Sequence, residues 1–296
     1  MSTEKRLKIA IQKSGRLAEM SLQLLVKCGI ILTKSRDQLL CRAQNFPMDI
    51  FLVRDDDIPA FLTADVCQLG ILGQNVLLEK QAQINGVSSS LEQLLLMGHG
   101  KCRLSIAVPH GFNYESIASL NGKVIATSYK GLLGQYLATH NIKADIVTME
   151  GAVEVAPRTH LADVICDLVS TGSTLISNGL VEKEVILESQ AVLVTNQVSD
   201  PEIAALAEKI TSRIKAVLRA ENSRYIMLNS PTKSLEAIKA VLPGSQSPTV
   251  MPLQGRDDMV AVHAVCEEGV FWDTMEDLKG CGANSILVVP IEKMLD

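Results

Sequence analysis

Residues 163–175 read Asp-Val-Ile-Cys-Asp-Leu-Val-Ser-Thr-Gly-Ser-Thr-Leu, and the two halves of that stretch make opposite demands on the backbone. Residues 164–169 are apolar apart from Cys166 and Asp167, which predicts a buried strand. The strand must then break at Ser170-Thr171-Gly172-Ser173-Thr174. Gly172 permits a backbone turn with positive φ, and four hydroxyls and several N–H groups converge on one small volume. A short helix from Leu175 would add the partial positive charge of its N-terminus. Such a cup suits a phosphate monoester, and Asp167 near the strand's end is suited to accept the two hydroxyls of a ribose. Ser/Thr/Gly clusters after strands are commonly plain turns, so the cup has weight only in the company of other signals.

Elsewhere the chain repeats the strand–turn–helix rhythm of an open α/β sheet. Residues 8–12 (KIAIQ) predict a first strand, followed by Lys13-Ser14-Gly15-Arg16 and a helix over 17–28 with Leu22, Leu25 and Val26 on one face. Lys13 and Arg16 are candidate phosphate contacts or a solvated pair at a helix start. Residues 30–33 and 39–43 predict a hairpin, and 49–54 (DIFLVR) another buried strand. Of Asp55, Asp56 and Asp57, one is expected to cap the helix that Pro59 opens. The others would favour its N-terminus or bind magnesium. Arg54, at the strand end, is a candidate ligand contact. Further strands are expected at 67–73 and 103–109, the second crossing into another lobe. There the rhythm resumes with a strand at 123–128, a helix over 129–140 that starts with Tyr129, a strand at 145–149 and a helix from about 152 to 162. Tyr129 is suited to stack on a base or to anchor a core. Residues 184–194 are expected to return to the first lobe as one strand. A helix over 201–220 follows, capped by Ser199 or Asp200. From residue 224 the order becomes βαββαβ, the split ferredoxin-like motif. With 296 residues, two or three domains are expected.

Composition narrows the classes. A net charge of −5 argues against non-specific nucleic-acid binding, so a polyanionic ligand needs basic residues gathered locally. No apolar run nears the roughly 20 residues that span a bilayer, and the basic N-terminus lacks the apolar core of a signal peptide. The seven cysteines are scattered without a CxxC pair, which suggests reduced thiols in a cytoplasmic protein.

Glu154, Ala162, Ile165, Asp167-Leu168, Thr171-Gly172, Thr174 and Leu175 together resemble the signature of the ATP phosphoribosyltransferases, the family that begins histidine biosynthesis. The resemblance extends over the chain through residues 11–17 (IQKSGRL), 53–59 (VRDDDIP), 126–129 (ATSY) and 285–294 (SILVVPIEKM). It points to the long form, which carries its own C-terminal domain. One departure is His160, where the family has Gly; it is expected on the helix ahead of the strand. The resemblance implies a two-lobed, periplasmic-binding-protein-like catalytic part with a ferredoxin-like (ACT-like) regulatory domain. Its parts would be lobe I at 1–103 and 182–221, lobe II at 104–181, and the regulatory domain at 222–296. It implies condensation of ATP with 5-phosphoribosyl 1-pyrophosphate, with Mg2+ as cofactor, histidine and AMP as inhibitors, and a homohexamer in equilibrium with dimers. Asp167 and Glu154 would be catalytic. Ser170, Thr171, Gly172, Ser173 and Thr174 would join Asp167 in holding the phosphoribosyl group. Lys13, Arg16, Arg54, Arg103 and Tyr129 would serve ATP and phosphate, and Ser247, Thr249 and Ser285 histidine. Read without the family, the same residues leave room for a non-enzymatic two-lobed sensor, or for another nucleotide- or phosphoribosyl-transferring enzyme, since a fold alone does not choose between binding and catalysis.

Overall fold

The computed structural model describes residues 5–33, 39–83, 90–242, 248–267 and 272–295. They separate into two compact units, Met1–Val26 with Ile30–Glu208, and Lys27–Gly29 with Lys209–Asp296.

In the first unit β1 (Leu7–Gln12) leads through α1 (Arg16–Lys27), β2 (Leu32–Thr33) and β3 (Leu40–Ala43) to β4 (Met48–Val53), then α2 (Ile58–Thr63), β5 (Leu69–Gly73), α3 (Gln74–Gln83) and β6 (Glu92–Leu96). The chain then enters a second sheet with β7 (Cys102–Pro109), β8 (Val124–Thr127), α4 (Lys130–Thr139), β9 (Asp145–Thr148), β10 (Val164–Val169), α5 (Ser173–Ser177) and β11 (Leu180–Ser189). It returns to the first sheet as β12 (Ala191–Thr195) and continues into α6 (Pro201–Glu221). The strand orders are β2-β3-β4-β1-β5-β12-β6 and β11-β7-β10-β8-β9. This is the two-lobed, periplasmic-binding-protein-like α/β architecture expected from the sequence.

The central strands are parallel: β1 pairs with β4 and β5, and β8 with β9 and β10. Buried on both faces, they need apolar side chains on both, which is why β5 is buried throughout and β10 reads Val-Ile-Cys-Asp-Leu-Val. Helix α2 covers the first sheet by packing Ile58 and Leu62 against Ala10, Leu72 and Val192. Each such buried aliphatic side chain contributes about 1.5–3 kcal/mol. On the second sheet, α4 buries Leu133 and Leu137 against Ile106, Ile125 and Val164.

Several expectations are corrected. Residues 184–194 form two strands, not one: β11 stays in the second sheet through Ser189, and the return to the first sheet falls at Gln190 rather than at residue 182. The crossing expected within 103–109 falls earlier, in residues 97–101, since β7 pairs only with β10 and β11. The helix expected over 152–162 is a short 3-10 turn, Val153–Val155, followed by successive turns. Pro157 lacks an N–H and its ring would meet the carbonyl four residues back, so an α-helix cannot run through it. His160 therefore lies in a turn, at φ 58°. Glycine meets no steric penalty in that left-handed conformation, and histidine is among the side chains that tolerate it. On α1 the buried face is Ala18, Ser21, Leu24 and Leu25, while Val26 is exposed. Asp200 does cap α6, accepting the N–H groups of Glu202 and Ile203 at 2.9 and 3.4 Å.

The second unit holds β13 (Ser223–Pro231), α7 (Leu235–Val241), β14 (Thr249–Leu253), β15 (Arg256–Glu267), α8 (Trp272–Gly280) and β16 (Asn284–Pro290). Its antiparallel sheet has the order β14-β15-β13-β16, the ferredoxin-like arrangement, with Ile238 of α7 and Leu278 of α8 packed on Ile226, Leu228 and Val262.

No aspartate caps α2. Asp55 to Asp57 form a 3-10 turn, and Asp57, at the N-cap position, makes no side-chain capping bond. Asp55 instead turns inward. One oxygen accepts the Gly73 N–H, while Oδ1 is buried without a hydrogen-bond partner among the described residues. Burial pushes its carboxyl up to about 6, with the Asp56 charge adding to the rise and the Gly73 bond opposing it. The folded value exceeds the unfolded value of 3.8, so the folded chain holds the extra proton between about pH 4 and 6. Stability from this group is therefore full below that window and lost as pH rises through it. The loss amounts to about 2–3 kcal/mol. Asp55→Asn, neutral at every pH, should be more stable than the parent at pH 7 and lose most of that advantage at pH 4. Denaturant titrations at both pH values check this; a gain of the same size at both would exclude the Asp55 carboxyl as its source.

Candidate active site

The carboxyl ends of the parallel strands carry the candidate residues. On the first sheet the β1–β4 register pairs Gln12 with Val53, so Lys13 and Arg54 leave the sheet side by side, and the Lys13 N–H donates to the Val53 carbonyl at 2.8 Å. On the second sheet β8, β9 and β10 end at Thr127, Thr148 and Val169. Ser128 Oγ, just past β8, donates to the Met149 carbonyl at 2.7 Å and ties the ends of two strands together.

Between these edges lies a cleft of about 460 Å³. Arg54, Asp56, Asp57, Glu79 and Lys80 line one side, and Ser128, Tyr129, Thr148, Glu150 and Asp167 the other. Of the residues singled out from the sequence, the structure thus brings Arg54, Tyr129 and Asp167 together. Lys13, Arg16, Arg103, Glu154 and residues 170–174 are not part of this lining. Lys13 adjoins Arg54, and Arg16 is exposed at the start of α1.

Asp167 is half-buried, and its Oδ1 accepts the Leu168 N–H at 2.8 Å. Burial raises its pKa above the usual carboxylate value; the charge of Glu154 adds to the rise and the Leu168 bond opposes it. Glu154, on the turn after β9, is thus close enough for its charge to be felt at Asp167. Three residues beyond Asp167 the exposed hydroxyl loop begins. Gly172 takes φ 82° and starts α5 at Ser173, and the hydroxyls of Thr171 and Ser173 approach to 3.0 Å. The expected helix therefore begins two residues earlier than Leu175. Arg103 is already engaged: both carboxylate oxygens of Glu182 accept from its guanidinium, and Nη1 reaches the Ser170 carbonyl at 3.3 Å. That pairing holds the Glu182 carboxyl below its usual value. Arg103 braces the first residue of the loop.

Tyr129 stands at the N-cap of α4, and its hydroxyl accepts a bond from Asn75 Nδ2 at 2.9 Å. Burial raises its pKa. Sequence reasoning missed Asn75 and Glu79, which join α3 to the start of α4. In the second unit Thr249 lies on edge strand β14, and Ser285 is the second residue of the opposite edge strand β16, at φ 50°. Ser247 lies outside the described residues. Among the described residues no helix is long and apolar enough to cross a membrane.

Known proteins resemble this chain in both of its parts. The family profile HisG, ATP phosphoribosyltransferase, matches residues 54–216, and HisG, C-terminal domain, matches residues 220–293. The ATP phosphoribosyltransferase of Maricaulis maris (strain MCS10) is 49% identical over 293 residues, 98% of this chain and 99% of that protein. Among solved structures, a chain of the ATP phosphoribosyl transferase (HisG:HisZ) complex from Thermotoga maritima matches with a TM-score of 0.57 and 30% identity, over 71% of this chain and 98% of that one. The chain belongs to the ATP phosphoribosyltransferase family, the pentosyltransferases that begin histidine biosynthesis, and to its long form with a C-terminal domain of its own.

Proposed function

We propose that this chain joins N1 of the adenine of ATP to C1 of 5-phosphoribosyl 1-pyrophosphate, giving N1-(5-phosphoribosyl)-ATP and pyrophosphate, and that histidine inhibits it. The observation that supports the reading best is the shared cleft wall of Tyr129 and Asp167, facing Arg54, with the hydroxyl loop directly downstream of Asp167. In this reading the carboxylate of Asp167 accepts the ribose hydroxyls, and residues 170–174 hold the 5-phosphate with their hydroxyls and N–H groups. Arg103 keeps that loop in position through Ser170. Tyr129 meets the adenine, Glu154 lies near the reacting base or ribose, and Lys13, Arg16 and Arg54 answer the charge of the phosphates. The N1 lone pair forms the new bond to C1 as the C1–oxygen bond breaks, and that bond's electron pair leaves with the diphosphate. The protein's work is positioning and fixed charge rather than covalent catalysis.

Among the described residues no group of three or more His, Cys, Asp or Glu is gathered for a metal. The carboxylates of Asp56 and Asp57 on the cleft wall would suit magnesium that arrives with the substrate's phosphates and takes only one or two ligands from the protein. When bound, it would neutralise charge on the departing diphosphate. The enzyme would work in the cytoplasm as a homohexamer in equilibrium with dimers, and AMP would compete for the nucleotide site. The regulatory domain, from residue 222, would hold histidine. Thr249 and Ser285 lie on opposite edges of a four-stranded sheet, three strand spacings or roughly 14 Å apart. One amino acid contacting both kinds of edge therefore needs two copies of the chain, which supports a site across a subunit contact.

Incubation with ATP, 5-phosphoribosyl 1-pyrophosphate and Mg2+ should produce the ultraviolet absorbance of phosphoribosyl-ATP; its absence would overturn the assigned reaction. Asp167→Ala removes an acceptor of two hydroxyls and should lower kcat/KM roughly 10²- to 10⁴-fold. Its melting temperature should stay near the parent's, because the lost carboxylate is a desolvated one. Normal turnover would remove Asp167 from the site. Initial rates should fall as histidine is added, and rates indifferent to saturating histidine would remove the regulatory assignment.

A further inference from the structure

Helix α4 starts against a carboxylate supplied by the facing lobe. Glu79, on α3, accepts the backbone N–H groups of Gly131 at 2.7 Å and Leu132 at 2.9 Å, and a further bond from Gln83 at 2.9 Å. The first N–H groups of a helix have no partner within it and carry partial positive charge. A residue at the helix start commonly satisfies them, but the N-cap residue here, Tyr129, makes no side-chain capping bond. Its hydroxyl instead meets Asn75, also on α3, and Asn75 in turn accepts from Ser189 at 2.9 Å. Contact between the helices is close. A Cβ on Gly131 would stand 2.9 Å from the Ala82 Cβ and 3.1 Å from Glu79 Oε1. Glu79 itself is 7% exposed.

We propose that Glu79 is an interlobe latch for the transferase reaction: by capping α4 from α3 it sets the width of the cleft and the orientation of its Ser128–Tyr129 wall. It is a positioning residue rather than a catalytic one. The inference rests on the cleft being the active site. If substrates bind only the latched form, weakening the latch divides their apparent Kd by the latched fraction, which raises it, and leaves the chemical step alone.

Glu79→Ala should therefore raise KM for both ATP and 5-phosphoribosyl 1-pyrophosphate roughly tenfold or more, with kcat at saturation changed less than about twofold. Hydrogen exchange in a peptide covering the first turn of α4 should quicken, while the sheet of the second unit keeps its protection. Glu79→Gln retains one acceptor oxygen and should fall between the parent and the alanine variant. Gly131→Ala leaves the carboxylate in place but forces the helices apart, and should reproduce the KM pattern. These two variants decide the matter should the alanine variant not fold. A fall in kcat at unchanged KM, or α4 exchange identical to the parent's, overturns the latch. Exchange is measured without substrate, so it tests the latch even if the parent enzyme formed no phosphoribosyl-ATP, a result that would sink the reading of the cleft instead.

Discussion

Two sets of parallel strands, β4–β1–β5 and β10–β8–β9, dictate where chemistry can occur in this chain. Parallel neighbours need a crossover between them, so all the strands of a set end at the same edge. Whatever follows each strand is then gathered without design at the level of single residues: Lys13, Arg54 and Gln74 at one edge, Ser128, Met149 and Ser170 at the other. Burial on both faces is the cost of this arrangement, and it is visible wherever a carboxylate sits at a strand end. Asp167, and Asp55 just past β4, both have pKa values raised chiefly by desolvation. The same strand ends that collect functional groups also hold the carboxylates of Asp55 and Asp167 largely out of water.

Legibility in the sequence followed that burial. Residues 8–12, 49–54 and 164–169 were readable as strands because continuous apolar runs suit parallel sheets. Strand β6 was not, since Glu92 and Gln93 are exposed and no buried run announces it. Residues 184–194 read as one strand because Gln190 is no breaker; only hydrogen bonding to different neighbours separates β11 from β12. The helix expected over 152–162 failed for a local reason that was present in the sequence, Pro157. The left-handed backbone at His160 accounts for the one departure from the family pattern as a matter of turn geometry rather than helix packing.

Residues at strand ends, such as Arg54, Tyr129 and Asp167, could be nominated from the sequence because their place in the chain is their place in the site. Glu79 and Asn75 could not. Glu79 caps a helix 52 positions away, and Asn75 meets a hydroxyl 54 positions away, so neither leaves a pattern within a helix-length window. Gly131 is the nearest thing to a signal, yet a glycine within a helix reads as a weak propensity until the neighbouring helix is known.

The charge of the cleft bears on how a polyanion enters it. Asp56, Asp57, Glu79, Glu150 and Asp167 line it against Arg54 and Lys80. The carboxylate of Glu79 is turned to α4, which leaves more acid than base on the wall. Like charges 4 Å apart repel by about 1 kcal/mol in bulk water and about 4 kcal/mol near a protein surface. Bare triphosphates and diphosphates are therefore disfavoured ligands for such a wall. Phosphates that arrive already complexed to a divalent cation reverse the sign of the contact and turn the acidic residues from repulsive neighbours into attractive ones. The proposed chemistry and the composition of the cleft are thus compatible: an acidic lining suits phosphates whose charge a divalent cation partly offsets, while in the proposed reading Arg54 on the wall, with Lys13 and Arg16 near it, would answer the charge that remains.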